Sequence, residues 1–227
     1  MIKKHIPNTI TCGNLLCGCI ALVQAFQGNL VWASYLVGIA LVLDFFDGFT
    51  ARMLKVSSAI GKDLDSLADM VTFGVVPGVL MFTMEGGGYI YFIITIFSAI
   101  RLAKFNNDTR QTNSFIGLPT PANTMIFASL PLIMKFQPDS QFALFIINFN
   151  WILPVSTFIL CFLLISEIPL FALKFKNFSW ESNKLVYCFL MVSVILLISL
   201  KFVAIPLIIL LYILVSIVNN IFLKNKV

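Results

Sequence analysis

Residues 44 to 69 concentrate the chemistry of this chain. Asp44, Asp47, Asp63, Asp65 and Asp69 are half of its ten acidic residues and fall between two long apolar runs. Asp44 and Asp47 are spaced i, i+3, and Asp65 and Asp69 are spaced i, i+4, so each pair shares one face if both segments are helical. Four carboxylates then converge from two helices. Acids this close cannot all stay ionised unless cations share the site. Oxygen-only ligands suit hard divalent cations, Mg²⁺ or Mn²⁺ with Ca²⁺ as a further occupant, rather than zinc. Gly48, Ala51 and Gly61 leave the backbone accessible beside the acids, and Arg52 and Lys62 add cations suited to phosphate. The set has the composition of a metal-bridged pyrophosphate site.

Written out, the pattern is D-x2-D-G-x2-A-R-x8-G-x3-D-x3-D, from Asp44 to Asp69. It resembles the signature of the CDP-alcohol phosphatidyltransferases, membrane enzymes that displace CMP from a CDP-linked lipid with an alcohol. Flanking stretches resemble the phosphatidylserine synthase branch: Ile6-Pro7-Asn8 with Thr11 and Asn14, Leu64 to Asp69 followed by Phe73-Gly74-Val75-Val76-Pro77, Arg101-Leu102-Ala103-Lys104-Phe105-Asn106, and Gly117-Leu118-Pro119-Thr120-Pro121-Ala122. The resemblance covers roughly residues 5 to 125.

The resemblance implies an all-α polytopic fold and transfer of the phosphatidyl group of CDP-diacylglycerol to L-serine, giving phosphatidylserine and CMP. It implies that Asp44, Asp47, Asp65 and Asp69 hold two divalent cations. Gly48, Ala51, Arg52 and Gly61 would meet the nucleotide and its phosphates, and Asp69 would be the general base. A homodimer is also implied. Asp63 lies outside the motif and reads as a solvated residue near a helix start.

The elements that carry these residues follow from composition. Of the 227 residues, 59% are hydrophobic and 11% charged, far from the ~25% charged of soluble domains. The chain is expected to be one membrane domain over 1–227, with a catalytic core at about 5–125 and further helices at about 150–223. Windows of roughly 17 to 25 apolar residues predict eight spans, at about 9–27, 31–53, 63–84, 88–106, 119–136, 150–171, 184–201 and 203–223. With a cytoplasmic N-terminus, thirteen of the fifteen basic residues fall on the cytoplasmic side, Lys135 and Lys201 excepted. That bias predicts both termini in the cytoplasm and the acids at a cytoplasm-facing cavity of a plasma or inner membrane. Lys201 and Pro206 mark a turn between the last two spans, and Gln27-Gly28-Asn29 and Glu85 to Gly88 mark short outer turns. Ser57 and Ser58 are candidate caps, and Gly61 a site of close backbone approach. Membrane orientation accounts for the net charge of +5, and nucleic acid is not an expected partner. Cys12, Cys17, Cys19, Cys161 and Cys188 read as small buried hydrophobes.

Further polar groups line the same side. Arg101 and Lys104, spaced i, i+3, place two cations on one helix face for a phosphate or an amino-acid carboxylate. Thr120, between Pro119 and Pro121 at a helix start, offers its hydroxyl to an anion. Asn8, Asn14 and Asn106 complete the candidates for the serine pocket. The nearest alternative is the same family with glycerol 3-phosphate, inositol phosphate or choline as acceptor, since Arg101, Lys104 and Arg110 could serve a phosphorylated alcohol. An ion-coupled transporter is a different class. It calls for a second acidic helix pair in the later spans, whereas from residue 109 onward only Asp139, Glu167 and Glu181 are acidic.

Overall fold

The structure is a computed structural model that describes residues 5–56, 58–108, 114–149, 151–171 and 180–224. Lys3, Lys4, Ser57, Arg110, Lys174, Lys176 and Lys226, used in the sequence reading, lie outside the described residues.

Helices α1 (His5–Phe26) and α2 (Leu30–Leu54) form an antiparallel hairpin. The register is visible in the facing pairs Gly13 with Leu43 and Thr11 with Asp47. Ala21 and Ala25 of α1 meet Ala33, Val37 and Ala40 of α2, all fully buried. Small residues here let the two backbones approach closely. α2 ends where Lys55 turns left-handed, φ 51°, and donates its N–H to the Ala51 and Arg52 carbonyls. Ser58 then caps α3 (Ala59–Asp69), its hydroxyl accepting from the Gly61 N–H at 3.0 Å, as expected of that residue.

The expected span at 63–84 is interrupted. Met70–Val75 is a π-helical turn, and α4 (Val76–Met84) resumes beyond it with Pro77 in its first turn. A π turn shifts carbonyls off the usual i→i−4 ladder. Two threonines serve two of them: Thr124 donates to the Phe73 carbonyl at 2.6 Å and Thr95 to the Gly74 carbonyl at 3.0 Å. After a turn through Gly86 and Gly87, φ +70° and +101°, a 3-10 turn (Tyr89–Phe92) leads into α5 (Ile93–Asn107).

Strand β1 (Ser114–Ile116) precedes α6 (Thr120–Phe136); α7 (Gln141–Asn148), α8 (Ile152–Ile165) and β2 (Pro169–Phe171) follow. β1 and β2 pair antiparallel. Gly117 sits at φ +76°, and a Cβ there would lie 2.6 Å from the Leu164 carbonyl oxygen, so this crossing of the chain over the end of α8 needs glycine. The last two helices, α9 (Trp180–Leu200) and α10 (Ala204–Lys224), fold back on each other at Lys201, φ 51°. Leu185 of α9 and Leu214 and Val218 of α10, on opposite sides of that turn, line one cleft. Gln137, just past α6, locks the turn. It donates to the Leu200 carbonyl at 3.0 Å and accepts from the N–H groups of Phe202 and Val203 at 2.9 and 3.3 Å.

α6 joins two cores. Its Ala128 packs with Phe73, Val76, Leu80 and the α1–α2 alanines, while Phe127 and Leu130 pack with Leu160, Cys161, Phe189 and Tyr212.

Among the described residues, the regular structure is helical apart from the short ribbon. Five described stretches are long and apolar enough to cross a membrane, or six if α7 and α8, bent by 102°, act as one span. The sequence predicted eight; the number of described stretches is lower because α6 and α8 are short and one run holds two predicted spans. α6 has 17 residues, nearly the whole predicted 119–136 and the lower limit of a crossing, whereas α8 has only 14. The helix expected over 150–171 stops at Ile165, and residues 169–171 enter the β ribbon at Pro169. The final apolar stretch, Asn183–Ile221, counts as one run but is divided by the expected Lys201 turn into α9 and α10, the two spans predicted there. The cysteine expectation holds for Cys161 alone: Cys12, Cys19 and Cys188 are exposed on helix faces and Cys17 is half-buried, because outward faces in a bilayer accept apolar thiols.

Candidate active site

The α1–α2 hairpin sets the first half of the site. Asp44 and Asp47 lie one turn apart on α2, and the buried Thr11 hydroxyl lies 2.6 Å from Asp47 Oδ2, against 3.1 Å from the Pro7 carbonyl. The charged, closer acceptor takes the proton of that hydroxyl. α3 supplies the second half. Carboxylate oxygens of Asp44, Asp47 and Asp65 lie within 4.8 Å of one another. Asp69, a turn further on, contacts Asp44 through its carboxyl group, and its Oδ1 is buried without a protein hydrogen-bond partner.

This donor set fits hard divalent cations. It consists of carboxylate oxygens without sulfur or imidazole, and the orphaned Asp69 oxygen is a group that burial would otherwise penalise. The cluster of three could hold a metal ion.

Above the acids opens a cleft lined by Asn8 and Thr11 of α1, Asp47, Gly48 and Ala51 of α2, and Gly61, Lys62 and Asp65 of α3. A Cβ at Gly61 would lie 3.0 Å from both Asn8 Oδ1 and Ser58 Oγ, so a larger residue would press on the cleft-lining Asn8 and on the α3 cap. A Cβ at Gly48 would make only an ordinary contact, 3.5 Å from Arg52 Nη1; its smallness keeps the cleft open rather than the packing tight. Arg52 is exposed and lines a shallow groove beside the cleft with Lys55. Asp63 is exposed, as expected.

The six candidates for an acceptor pocket divide into two groups. Asn14, Arg101 and Thr120 are buried in the interior. Arg101 packs its guanidinium 4.8 Å from the Phe105 ring centroid and lies within electrostatic reach of Asp69. Asn8 lines the outer cleft, and Asn106 is used as a strut: its side-chain amide donates to Ser66 Oγ at 2.7 Å, and its backbone carbonyl accepts from Lys62 Nζ at 2.8 Å. Lys104 is exposed. The i, i+3 pair is therefore not brought to one place, because the Arg101–Phe105 stripe faces inward and turns Lys104 out. Thr120 is fully buried, not open at a helix mouth.

Thr11, Ser66, Ser98 and Asn123 are polar participants that received no role from the sequence. Their signal was helical spacing inside apolar runs: Thr11 with Asn14, and Thr120 with Asn123 and Thr124.

The CDP-alcohol phosphatidyltransferase family model matches residues 4–163. Curated proteins named CDP-diacylglycerol–serine O-phosphatidyltransferase are similar to the chain. That of Bacillus subtilis is 36% identical over 58% of this chain and 75% of its own length. That of Helicobacter pylori J99 is 37% identical over 53% of this chain and 54% of its own length. That of Mycobacterium bovis is 29% identical over 73% of this chain and 60% of its own length. The chain thus spans between about half and three quarters of these relatives. With the family model covering both acid-bearing helices and the hairpin that orients them, this chain is a member of the CDP-alcohol phosphatidyltransferase family.

Proposed function

We propose that the protein transfers the phosphatidyl group of CDP-diacylglycerol to the hydroxyl of L-serine and releases CMP. The observation that carries this reading is the convergence of Asp44, Asp47 and Asp65 within 4.8 Å beneath a cleft floored by Gly48 and Ala51, in a chain similar to named serine phosphatidyltransferases. Asp44, Asp47, Asp65 and Asp69 would hold two divalent cations, Mg²⁺ or Mn²⁺. Such cations, when bound, neutralise charge on a pyrophosphate. Gly48, Ala51 and Gly61 leave room for the nucleotide, and Arg52 at the cleft mouth meets its phosphates. The serine oxygen forms a new bond to the lipid phosphorus as the bond to the CMP oxygen breaks, and Asp69 takes the hydroxyl proton through its unpartnered Oδ1. Asn14, Arg101 and Thr120 are the buried candidates for the serine pocket, with Asn8, Lys104 and Asn106 further out. The cleft faces the cytoplasm of a plasma or inner membrane, with both termini on that side and the enzyme a homodimer.

CMP release from CDP-diacylglycerol in detergent tests the reading. L-serine is compared with glycerol 3-phosphate, inositol, inositol phosphate and choline, each with and without chelator. Release stimulated by serine alone, and abolished by chelator, is expected. Stimulation by another alcohol would replace the acceptor, and no release with any would remove the activity. Asp69→Asn should lower the rate at least ~10²-fold on general-base grounds; near-wild-type turnover in the folded variant would eliminate that role.

A further inference from the structure

Below the carboxylates lies a layer of polar groups without partners. Asn14 and Asn123 are fully buried, and neither the nitrogen nor the oxygen of either carboxamide has a hydrogen-bond partner. Ser98 Oγ, Thr120 Oγ1, Arg101 Nε and Asp69 Oδ1 are buried in the same condition. Native interiors rarely leave carboxamides this way, since each orphan forfeits its bonds to water. So many together imply a polar occupant.

The helices that carry these groups meet around one segment. Thr72 donates to the Asn14 backbone carbonyl at 3.3 Å, and Thr124, next to Asn123, donates to the Phe73 backbone carbonyl at 2.6 Å. The Ser98 Cβ lies 3.3 Å from where a Gly74 Cβ would be. α5 and α6 thus bring polar side chains onto the π turn that follows Asp69, and α1 meets it through the Asn14 backbone. α6 runs parallel to this segment, Thr124 meeting Phe73 and Ala128 packing with Val76 and Leu80. Thr120 is then level with Asp69, and Asn123 about one turn deeper.

We propose that Asn123 recognises the acceptor, its carboxamide oxygen and that of Asn14 accepting hydrogen bonds from the acceptor's ammonium group while Arg101 faces its carboxylate. This deepens, and rests on, the serine reading. A hydroxy amino acid brings three polar groups. Asp69 is assigned to the hydroxyl, and the buried guanidinium is the counterpart of the carboxylate. The uncharged oxygens of the two asparagines remain for the ammonium. Arg101 is the one cation of this layer among the described residues, which suits a singly charged carboxylate better than a phosphorylated alcohol.

The test is steady-state CMP release by the full-length detergent-purified enzyme carrying Asn123→Ala, with Asn123→Ser as the milder variant should the first fail to fold. Loss of a hydrogen bond to a charged group should raise the serine KM about tenfold to a hundredfold, with the CDP-diacylglycerol KM held within about twofold. Ethanolamine, which keeps the ammonium, should lose strength as an inhibitor against serine in parallel. 3-Hydroxypropionate, which lacks it, should inhibit the variant as it does the wild type. A serine KM within about twofold of wild type, or an equal weakening of both analogues, overturns the assignment and leaves Asn123 a structural residue. Wild-type enzyme with no serine-dependent release would instead refute the serine reading itself.

Discussion

Replacing Thr11 by valine removes one hydroxyl and keeps the outline of the side chain. That hydroxyl is the partner of Asp47 Oδ2 at 2.6 Å, in surroundings where Thr11 is 4% and Asp47 6% exposed. A hydrogen bond to a charged group contributes about 1.5–3 kcal/mol net, and its loss leaves the acceptor buried and unpaired. Groups that orient metal ligands from behind typically change metal affinity by about 10–100-fold when removed. Thr11→Val should therefore raise the Mg²⁺ or Mn²⁺ concentration giving half-maximal CMP release by roughly tenfold or more, while Thr11→Ser, which keeps the donor, stays near wild type. Direct calorimetric titration of the detergent-purified protein with Mn²⁺ provides the same comparison without turnover. If Thr11→Val leaves the metal requirement within about twofold of wild type, or Thr11→Ser loses as much as valine, the hydroxyl does not orient Asp47 for a cation.

Two further predictions concern stability. Gln137→Leu removes three side-chain contacts to Leu200, Phe202 and Val203; at about 1 kcal/mol each, a loss of ~2–3 kcal/mol is expected as a lower melting temperature in detergent, with the serine KM unchanged. A wild-type melting temperature would show that the α9–α10 turn stands without Gln137. Gly117→Ala combines φ +76° with a Cβ only 2.6 Å from a carbonyl oxygen, a strain of about 1–3 kcal/mol or more. It should reduce the folded yield, read by size-exclusion profile; an unaltered profile would mean that the crossing over α8 relaxes freely.

Much of this molecule was legible without coordinates. The acids of residues 44–69 could be paired by spacing alone, since Asp44 with Asp47 and Asp65 with Asp69 satisfy helical periodicity whatever surrounds them. The turns at Glu85 to Gly88 and at Lys201, and the Ser58 cap, were likewise local matters of backbone chemistry. Helix lengths were less so. The early stop of α8 depends on pairing between residues 114–116 and 169–171, more than fifty positions apart, and no window along the chain contains that information.

What only the tertiary structure decided is which polar residues share a space. Spacing put Arg101 and Lys104 on one face, but the packing of α5 against the π turn and α8 drew Arg101 inside and left Lys104 out. Nothing local distinguishes Thr11 as the partner of Asp47, because that contact spans 36 residues and exists only through the register of the α1–α2 hairpin. The π turn after Asp69 is of the same kind: it is held by threonines on α5 and α6. Sequence determines the chemistry a helix face can offer, because periodicity is a property of the chain; which faces meet is settled by helices packing around one another, and so the site is a property of the fold.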